Sequence, residues 1–260
     1  MFAATHAQAQ SNRFARTTAE NHRIWRSSYF GPSPSPSDSS SLNESGEVVY
    51  TDPAPGERRE PQAFLVEQEP WAIVQPHFHY VPQFQVVAAG GGRLGRHDIA
   101  PLGVHFAAAC TGYGPIEAQG EGLSYFTFRA SADETGAQYL PAARSRMRPG
   151  RRRNEIVDRI YLSSPEALAS LTENSLETAL ELEDGLAICL QRMAPDAAVR
   201  SIDSSSGQGL SLLVANGSLL QDDGVFPRWS CFYVGPDEES LLLQAGPEGA
   251  EVLMLRYPEA

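Results

Sequence analysis

The strongest constraint on the fold comes from residues 75–83, where His77 and His79 are separated by one residue and flanked by residues that favour β-strands. Side chains of an extended strand alternate between its two faces, so two imidazoles at this spacing share one face. Two neighbouring imidazole nitrogens provide a pair of ligands of the kind that zinc, iron, nickel and copper ions prefer. We therefore predict a β-strand that carries a metal-binding pair of histidines.

Short β-forming runs separated by glycine and proline occupy residues 62–130 and recur over residues 185–258. Regular short strands with such punctuation are typical of β-sandwiches and β-barrels. Between them, Ser164 and Pro165 form a helix start, so Leu168, Leu171, Leu176 and Leu180 are expected on one or two short helices. The sequence predicts an all-β protein with two barrels of similar size. The predicted divisions are an arm (1–60), a first barrel (61–145), a basic and helical linker (146–184) and a second barrel (185–260).

The first 60 residues are polar and rich in small side chains, with a serine–proline tract over residues 31–41. Such a tract buries too little apolar surface to offset the entropy of ordering, and a flexible N-terminal arm is expected. Ile24, Trp25, Tyr29 and Phe30 interrupt this pattern. Two interpretations remain open: these side chains anchor the arm on the folded body or on a second subunit, or they are incidental in a disordered tail.

Composition excludes several classes of function. The formal net charge of −12 argues against nucleic acid as a partner. The chain contains no lysine, which excludes Schiff-base lysine chemistry and a Walker A phosphate loop. Its three cysteines are scattered, as expected for reduced thiols in the cytoplasm. No secretory signal pattern is apparent, and no apolar run approaches the ~20 residues of a membrane span.

A basic run, Arg-Ser-Arg-Met-Arg-Pro-Gly-Arg-Arg-Arg, extends over residues 144–153. Two interpretations are open for it. It binds an anionic ligand or an acidic partner surface, or it is a solvated linker between the two barrels.

The spacing around the histidine pair resembles the first motif of the cupin family, and the two β-rich segments resemble a bicupin. In that motif, three or four residues separate His-x-His from a glutamate, and a glycine follows after six more. Here Gln83 stands in the place of the glutamate and Gly90 follows at the family spacing. The second motif is matched in part by Gly95, Pro101 and Gly103, with His105 arriving one residue early.

A rival alignment places the second motif at residues 113–117. The third histidine is then lost from its usual position, and Tyr113 or Glu117 occupies that region. We favour the alignment that contains His105.

The resemblance implies two jelly-roll barrels, each a double-stranded β-helix, with one divalent metal ion (Fe, Mn, Ni or Zn) in the first. It assigns His77, His79 and His105 as nitrogen ligands, and Gln83 either as a weak fourth ligand or as a donor that hydrogen-bonds to a ligand. Glu117 is a reserve ligand or a general base. None of the six histidines lies in the C-terminal half, so the second barrel is expected to be structural or to form a homodimer.

Replacement of the motif's glutamate by an amide leaves the charge of a bound metal ion uncompensated, which favours a small anionic organic molecule as the ligand. Arg93, Arg96 and Arg129 lie in the same segment and would favour an anion wherever they face the site. The resemblance implies a dioxygenase, isomerase or lyase type of reaction. The alternatives are a non-catalytic sensor or carrier of a small molecule and a structural, oligomerising protein.

Overall fold

The computed structural model describes residues 1–18, 20–32, 50–51, 53–54, 57–222 and 224–259. The chain divides into two compact units. One comprises Arg13–Arg159, and the other combines Ile160–Ala260 with Met1–Asn12. We refer to them as the N-terminal barrel and the C-terminal barrel.

Nearly all regular structure in the described residues is β-strand. The helices are α1 (His6–Gln10) and α2 (Pro165–Ala169), and a 3-10 helix spans Ala142–Arg146. The strands, in chain order, are β1 (Phe2–Ala4), β2 (Phe14–Thr17), β3 (Arg23–Phe30), β4 (Gln62–Gln68), β5 (Ile73–Val74), β6 (His77–Phe78), β7 (Gln83–Leu94), β8 (His97–Ile99), β9 (Val104–Ala107), β10 (Ile116–Arg129), β11 (Gln138–Tyr139), β12 (Asn154–Val157), β13 (Ser175–Glu181), β14 (Ala187–Met193), β15 (Ala198–Arg200), β16 (Leu210–Gln221), β17 (Gly224–Pro227), β18 (Cys231–Val234) and β19 (Leu242–Arg256).

The N-terminal barrel is built on an antiparallel sheet of order β12-β9-β7-β10-β4-β3-β2, in which β5 also pairs with β10 and β8 with β7. Strands β6 and β11 form a separate two-stranded sheet. Alternate residues of the strands share one face, and the side chains of Phe64, Val66, Val87, Ile116 and Tyr125 pack together in a buried cluster. The wall of the barrel therefore follows the period-two pattern of its sequence.

The C-terminal barrel repeats this construction with a sheet of order β1-β18-β16-β19-β14-β13. Its core contains Leu210, Leu212 and Val214 of β16 and Val252 and Met254 of β19. The long antiparallel pair of β16 and β19, interrupted by register shifts, corresponds to the long pair of β7 and β10 in the other barrel. The two-barrel, all-β prediction is confirmed.

The structure differs from the expected flexible arm over residues 1–60. Strand β1 forms the edge of the C-terminal sheet through its pairing with β18, and β2 and β3 extend the N-terminal sheet beyond β4. Trp25, for example, pairs with Glu67. Residues 33–49, which hold most of the serine–proline tract, lie outside the described residues. The composition of that tract dominated the prediction for residues 1–60, so the strand-forming residues before the tract were not recognised.

The expected linker over residues 146–184 also differs. Strand β12 joins the N-terminal sheet beside β9, and β13 joins the C-terminal sheet beside β14. Apart from the end of the 3-10 helix at Arg146, α2 is the helix there, and it begins as predicted, with the Ser164 hydroxyl accepting the Ala167 N–H at 3.2 Å. Leu176 and Leu180 belong to β13 and not to a helix. The sequence pattern did not distinguish the two, because leucines four residues apart lie on one face of a helix or of a strand.

Helices long and apolar enough to span a membrane are absent from the described part of the chain.

The first residues are predicted to stabilise the C-terminal barrel. Ala3 and Ala4 lie on opposite faces of β1; Ala3 is exposed, whereas Ala4 is buried and pairs with Cys231. Ala4→Asp places an unpaired carboxylate in the interior and should reduce the free energy of unfolding by about 2–4 kcal/mol. The matched variant Ala3→Asp should change it by less than about 0.5 kcal/mol. Hydrogen exchange of β18 amides measures the effect, and equal protection in the two variants would contradict it.

Candidate functional site

His77 and His79 lie side by side in the N-terminal barrel, and both are buried. Their ring centroids are 5.3 Å apart and the rings are nearly perpendicular. Strand β6 ends at Phe78, so only His77 is held in a strand, and the main chain of His79 is fixed by the Cys110 N–H, which donates to its carbonyl at 2.7 Å. The structure thus brings together the two imidazoles that the His-x-His spacing predicted to be neighbours.

Tyr113 is brought to His77 by backbone pairing. The His77 N–H donates to the Tyr113 carbonyl at 3.1 Å, and the Tyr113 N–H donates to the His77 carbonyl at 3.0 Å. Residues paired in this way present their side chains as neighbours on one face. The Tyr113 hydroxyl accordingly lies 2.8 Å from Nε2 of His77.

The tautomer of His77 follows from its other nitrogen. Nδ1 lies 2.7 Å from the carbonyl oxygen of Gln75, which can only accept, so Nδ1 carries the proton. Nε2 then has a lone pair and accepts the hydrogen bond from the Tyr113 hydroxyl. This orientation, with Nδ1–H anchored and Nε2 presented, is the one common in histidines that bind metals.

Gln83 is oriented by Arg129, a buried residue at the end of β10. Nε and Nη2 of Arg129 donate to Oε1 of Gln83 at 3.0 and 2.9 Å, and Nη1 donates to Oε1 of Gln62 at 2.7 Å. The amide nitrogen of Gln83 therefore faces Tyr113 and donates to its hydroxyl at 2.5 Å. A directed series of hydrogen bonds runs from Arg129 through Gln83 and Tyr113 to His77.

His79 is held by Asp133, which lies in the turn after β10 and is fully buried. Nδ1 of His79 is 3.0 Å from Oδ2 of Asp133. Burial alone would raise the pKa of Asp133, but the hydrogen bond and charge of His79, the charge of Arg129 and a hydrogen bond from Thr135 hold it well below the ordinary range. Asp133 is thus a carboxylate and His79 donates through Nδ1. Within the described residues, Nε2 of His79 makes no hydrogen bond and keeps a lone pair.

His105 lies in the same barrel, with its ring against that of Tyr113. Its ring centroid is 5.0 Å from that of Tyr113, whose ring in turn is 4.6 Å from that of His77. Nδ1 of His105 contacts Oε1 of Gln85 at 2.9 Å, and Nε2 contacts Oδ1 of Asn154 at 2.9 Å. A neutral imidazole has one N–H, so one of the two amides must face His105 through its nitrogen. Both nitrogens of this third histidine are therefore engaged.

Burial keeps the three imidazoles neutral. Desolvation, followed by the charge of His79, lowers the pKa of His77 to about 3. Desolvation and the charge of Arg129 lower the pKa of His79 to about 4, although Asp133 acts in the opposite direction. Desolvation also lowers the pKa of His105 to about 4, and it raises the pKa of Tyr113 far above its usual value. At neutral pH the three imidazoles and the Tyr113 phenol are uncharged hydrogen-bond donors and acceptors, in the same barrel as the buried guanidinium of Arg129.

The residues expected as ligands are thus all in one barrel, but they do not converge on one point. The nitrogens of His105 contact Gln85 and Asn154, and the Gln83 oxygen faces Arg129. No three histidine, cysteine, aspartate or glutamate side chains are grouped to hold a metal ion in the part of the chain described. Glu117 adjoins Ile116, which is buried in the core cluster beside Tyr113, so the glutamate lies on the opposite face of β10 and is not brought to the histidines.

Two of the expected ligands, His77 and His79, nevertheless have their rings oriented as metal ligands do. His77 and His79 each have Nδ1–H bound to an oxygen and a lone pair on Nε2. The Tyr113 oxygen is 2.8 Å from Nε2 of His77, a separation close to the ~3 Å between neighbouring ligand atoms of one metal ion. We define these three residues, together with Gln83, as the histidine cluster. It contains His77, His79 and Gln83 of the predicted ligands, together with Tyr113, and does not contain His105.

Space is limited next to His105. A largely apolar cavity lined by His105, Gln85, Val87 and Tyr125 has a volume of about 20 Å³. That volume accommodates about one water molecule. An organic molecule therefore does not fit at His105 in this conformation.

Sequence comparisons give no relative: no protein-family model and no curated protein matches this chain. Solved structures do resemble it. One is the bacterial pirin YhhW of Escherichia coli, solved in complex with nickel(II). The match covers 100% of this chain and 99% of the pirin chain at 10% identity, with a TM-score of 0.54. Oxalate decarboxylase of Bacillus subtilis, whose Mn(II) centres were studied, covers 96% of this chain and 76% of its own at 12% identity, with a TM-score of 0.54.

A third similar structure is the 11S globulin of Wrightia tinctoria, reported to reveal an auxin binding site. It covers 91% of this chain and 80% of its own at 14% identity, with a TM-score of 0.55. These proteins share the cupin fold, and the chain has that fold in its two-barrel form. The architecture predicted from the His-x-His motif is therefore confirmed, while identities of this size carry no information on activity.

The buried state of His105 predicts a pH dependence of stability. Below about pH 6.5 the unfolded imidazole takes up a proton, but the folded one does so only near pH 4. Because the unfolded state binds more protons in this interval, stability falls as the pH falls, by up to about 3 kcal/mol for this residue. Urea unfolding of metal-free protein at pH 7 and pH 4 measures the loss.

His105→Gln removes this titration, so its loss of stability between pH 7 and pH 4 should be smaller by up to about 3 kcal/mol. His97→Gln, at an exposed position in β8, is the matched control and should behave as the wild type does. An unchanged pH dependence in His105→Gln would contradict the prediction.

Proposed function

We propose that the histidine cluster binds a divalent metal ion and that the N-terminal barrel acts on a small anionic organic molecule. The observation that carries the proposal is the matched anchoring of His77 and His79. Each ring donates Nδ1–H to an oxygen, Gln75 in one case and Asp133 in the other, and each presents Nε2 unprotonated. Nε2 of His77 accepts from the Tyr113 hydroxyl and Nε2 of His79 makes no hydrogen bond within the described residues, and the orientation of both rings is that of metal ligands.

Nε2 of His77, Nε2 of His79 and the oxygen of Tyr113 are the atoms that would hold the ion. When bound, the ion would supply Lewis acidity, polarising an oxygen of the bound molecule. Gln83 positions the Tyr113 oxygen through its amide N–H, and Asp133 fixes the ring of His79. Imidazole and phenol oxygen ligands suit iron, nickel, zinc and manganese, and nickel and manganese are bound by two of the proteins with a similar fold.

The charge around the cluster favours an anionic molecule. Arg129 lies buried beside Gln83, and Arg26 is stacked on the Phe64 ring at 3.5 Å, near Arg129. Asp133 is the one buried carboxylate among the cluster's hydrogen-bond partners given above. A divalent ion would add to this positive charge, and an anionic ligand would offset it. The reaction type that we propose is that of a dioxygenase, isomerase or lyase.

The test is metal binding by chelator-treated protein, titrated with Ni²⁺ and Mn²⁺ and followed by calorimetry. We expect about one ion per chain and at least a ~100-fold weaker affinity in His77→Ala/His79→Ala, because both imidazole ligands are lost. Tyr113→Phe should weaken binding by about 10-fold, since it removes one oxygen donor.

His22→Ala/His97→Ala is the matched control, since it removes two histidines outside the cluster. It should bind as the wild type does. If the two double variants lose equal affinity, or if the wild type binds no metal, the metal site is refuted. Oxygen uptake and product analysis with carboxylates and diketones then separate an enzyme from a carrier.

A second candidate is a metal-free barrel that binds a small molecule without catalysis. The series of hydrogen bonds from Arg129 through Gln83 and Tyr113 to His77 forms without a bound ion, which favours the metal-free candidate. The 11S globulin, reported to reveal an auxin binding site, is a protein of similar fold whose reported property is a binding site for a small molecule. Absence of metal binding in the titration above, with retained binding of an organic molecule, would select it.

A further inference from the structure

The basic run that the sequence left with two interpretations lines a cleft in the N-terminal barrel. The cleft has a volume of about 410 Å³. That is within the range of clefts that bind small molecules. The lining residues considered below are Thr111, Gly112, Leu140, Met147, Arg144, Arg152, Arg153 and Asn154. We call it the arginine cleft.

The basic segment is attached to the barrel at both ends. Ala143, next to Arg144, is fully buried in a cluster with Phe78 and Cys110, against which Leu140 and Met147 also pack. At the other end, Arg153 donates its N–H to the Thr111 hydroxyl at 3.1 Å. Its carbonyl accepts from Ala108 at 2.9 Å, after which the chain enters β12. The segment is thus held against the barrel at both ends, while Arg144 and Arg152 between them are exposed to solvent.

Positive charge in the cleft is poorly compensated. The guanidinium groups of Arg144 and Arg152 make no ion pair with any of the described residues. The acidic neighbour Glu155 is engaged by Arg153 at 3.7 Å. In a chain whose net charge is −12, two such arginines in one cleft are a local exception that attracts anions.

We propose that the arginine cleft binds an organic molecule with an oxyanion head group, a carboxylate or a phosphate monoester. Arg144 and Arg152 bind the head group, because a guanidinium matches the two oxygens of a carboxylate or phosphate with parallel hydrogen bonds. Thr111 and Asn154 supply further polar contacts. Leu140 and Met147 provide an apolar wall for the body of the molecule.

The cleft is adjacent to the histidine cluster. Gly112 lines the cleft, and the next residue, Tyr113, bonds His77. Asn154 also lines the cleft and contacts Nε2 of His105 at 2.9 Å. The proposal deepens the proposed function by naming the head group of the anion and the residues that take it, and it rests on that function only for the reaction that would follow binding.

Calorimetric titration of chelator-treated, full-length protein with phenyl phosphate, benzoate and uncharged benzamide tests the proposal. At least one of the two anions should bind, benzamide should not, and the tighter anion identifies the head group. Arg144→Gln/Arg152→Gln should weaken binding by at least ~10-fold, since both guanidinium contacts are lost. Arg93→Gln/Arg96→Gln removes the same charge from exposed positions of the β7–β8 hairpin and should leave the affinity unchanged.

The proposal is overturned if neither anion binds, if benzamide binds equally well, or if the two double variants lose the same affinity. Repeating the titration with His77→Ala/His79→Ala separates it from the metal hypothesis. Retained anion binding in that variant supports an independent cleft. Loss of anion binding there would assign the anion to the histidine cluster and refute the arginine cleft.

Discussion

The polar interior of the N-terminal barrel depends on the buried guanidinium of Arg129. A buried cation is costly unless its donors are satisfied, and here two glutamine side-chain oxygens satisfy three of them. Arg129 reaches Gln62 because the two residues are paired across β10 and β4. With Oε1 of Gln83 fixed by Arg129, its amide nitrogen has to face Tyr113, and the direction of every later hydrogen bond follows.

This arrangement gives a physical reason for the amide at position 83. A carboxylate there would form a buried ion pair with Arg129 and could not donate to Tyr113, whose hydroxyl would then have no fixed direction. Gln83 instead donates to Tyr113, and Tyr113 donates to His77. The sequence left two roles open for Gln83, a weak ligand in place of an acid or a donor that hydrogen-bonds to a ligand. The structure indicates a positioning residue, which orients the phenol and carries no charge of its own.

The features that could be predicted from the sequence are those that depend on residues close together in the chain. The period-two strands and the neighbouring rings of His77 and His79 follow from alternation along an extended chain. The contact of Tyr113 with His77 depends on pairing between residues that are 36 positions apart in the sequence. Asp133 and His79, which are hydrogen-bonded, are 54 positions apart. Asp133 looks like an ordinary turn residue in the sequence. Before residue 33 the prediction of a flexible arm was wrong, because a disorder-prone composition was averaged over strand-forming residues. The alternative interpretation, that Ile24, Trp25 and Phe30 anchor this segment on the folded body, agrees with the pairing of β3 with β4.

Glu251 of the C-terminal barrel and His79 of the N-terminal barrel differ in how completely their polar atoms are satisfied. In the C-terminal barrel, the fully buried Glu251 carboxylate accepts from the Ser163 N–H and hydroxyl, from Arg192 and from Asn216. Its acceptor sites are filled by this chain, so the group stabilises the barrel and has no capacity for a ligand. In the N-terminal barrel, Nε2 of His79 has no such partner among the described residues. An imidazole nitrogen with a lone pair, on a ring that a carboxylate holds in place, can still bind a ligand, and for this reason the function proposed above lies in the first barrel.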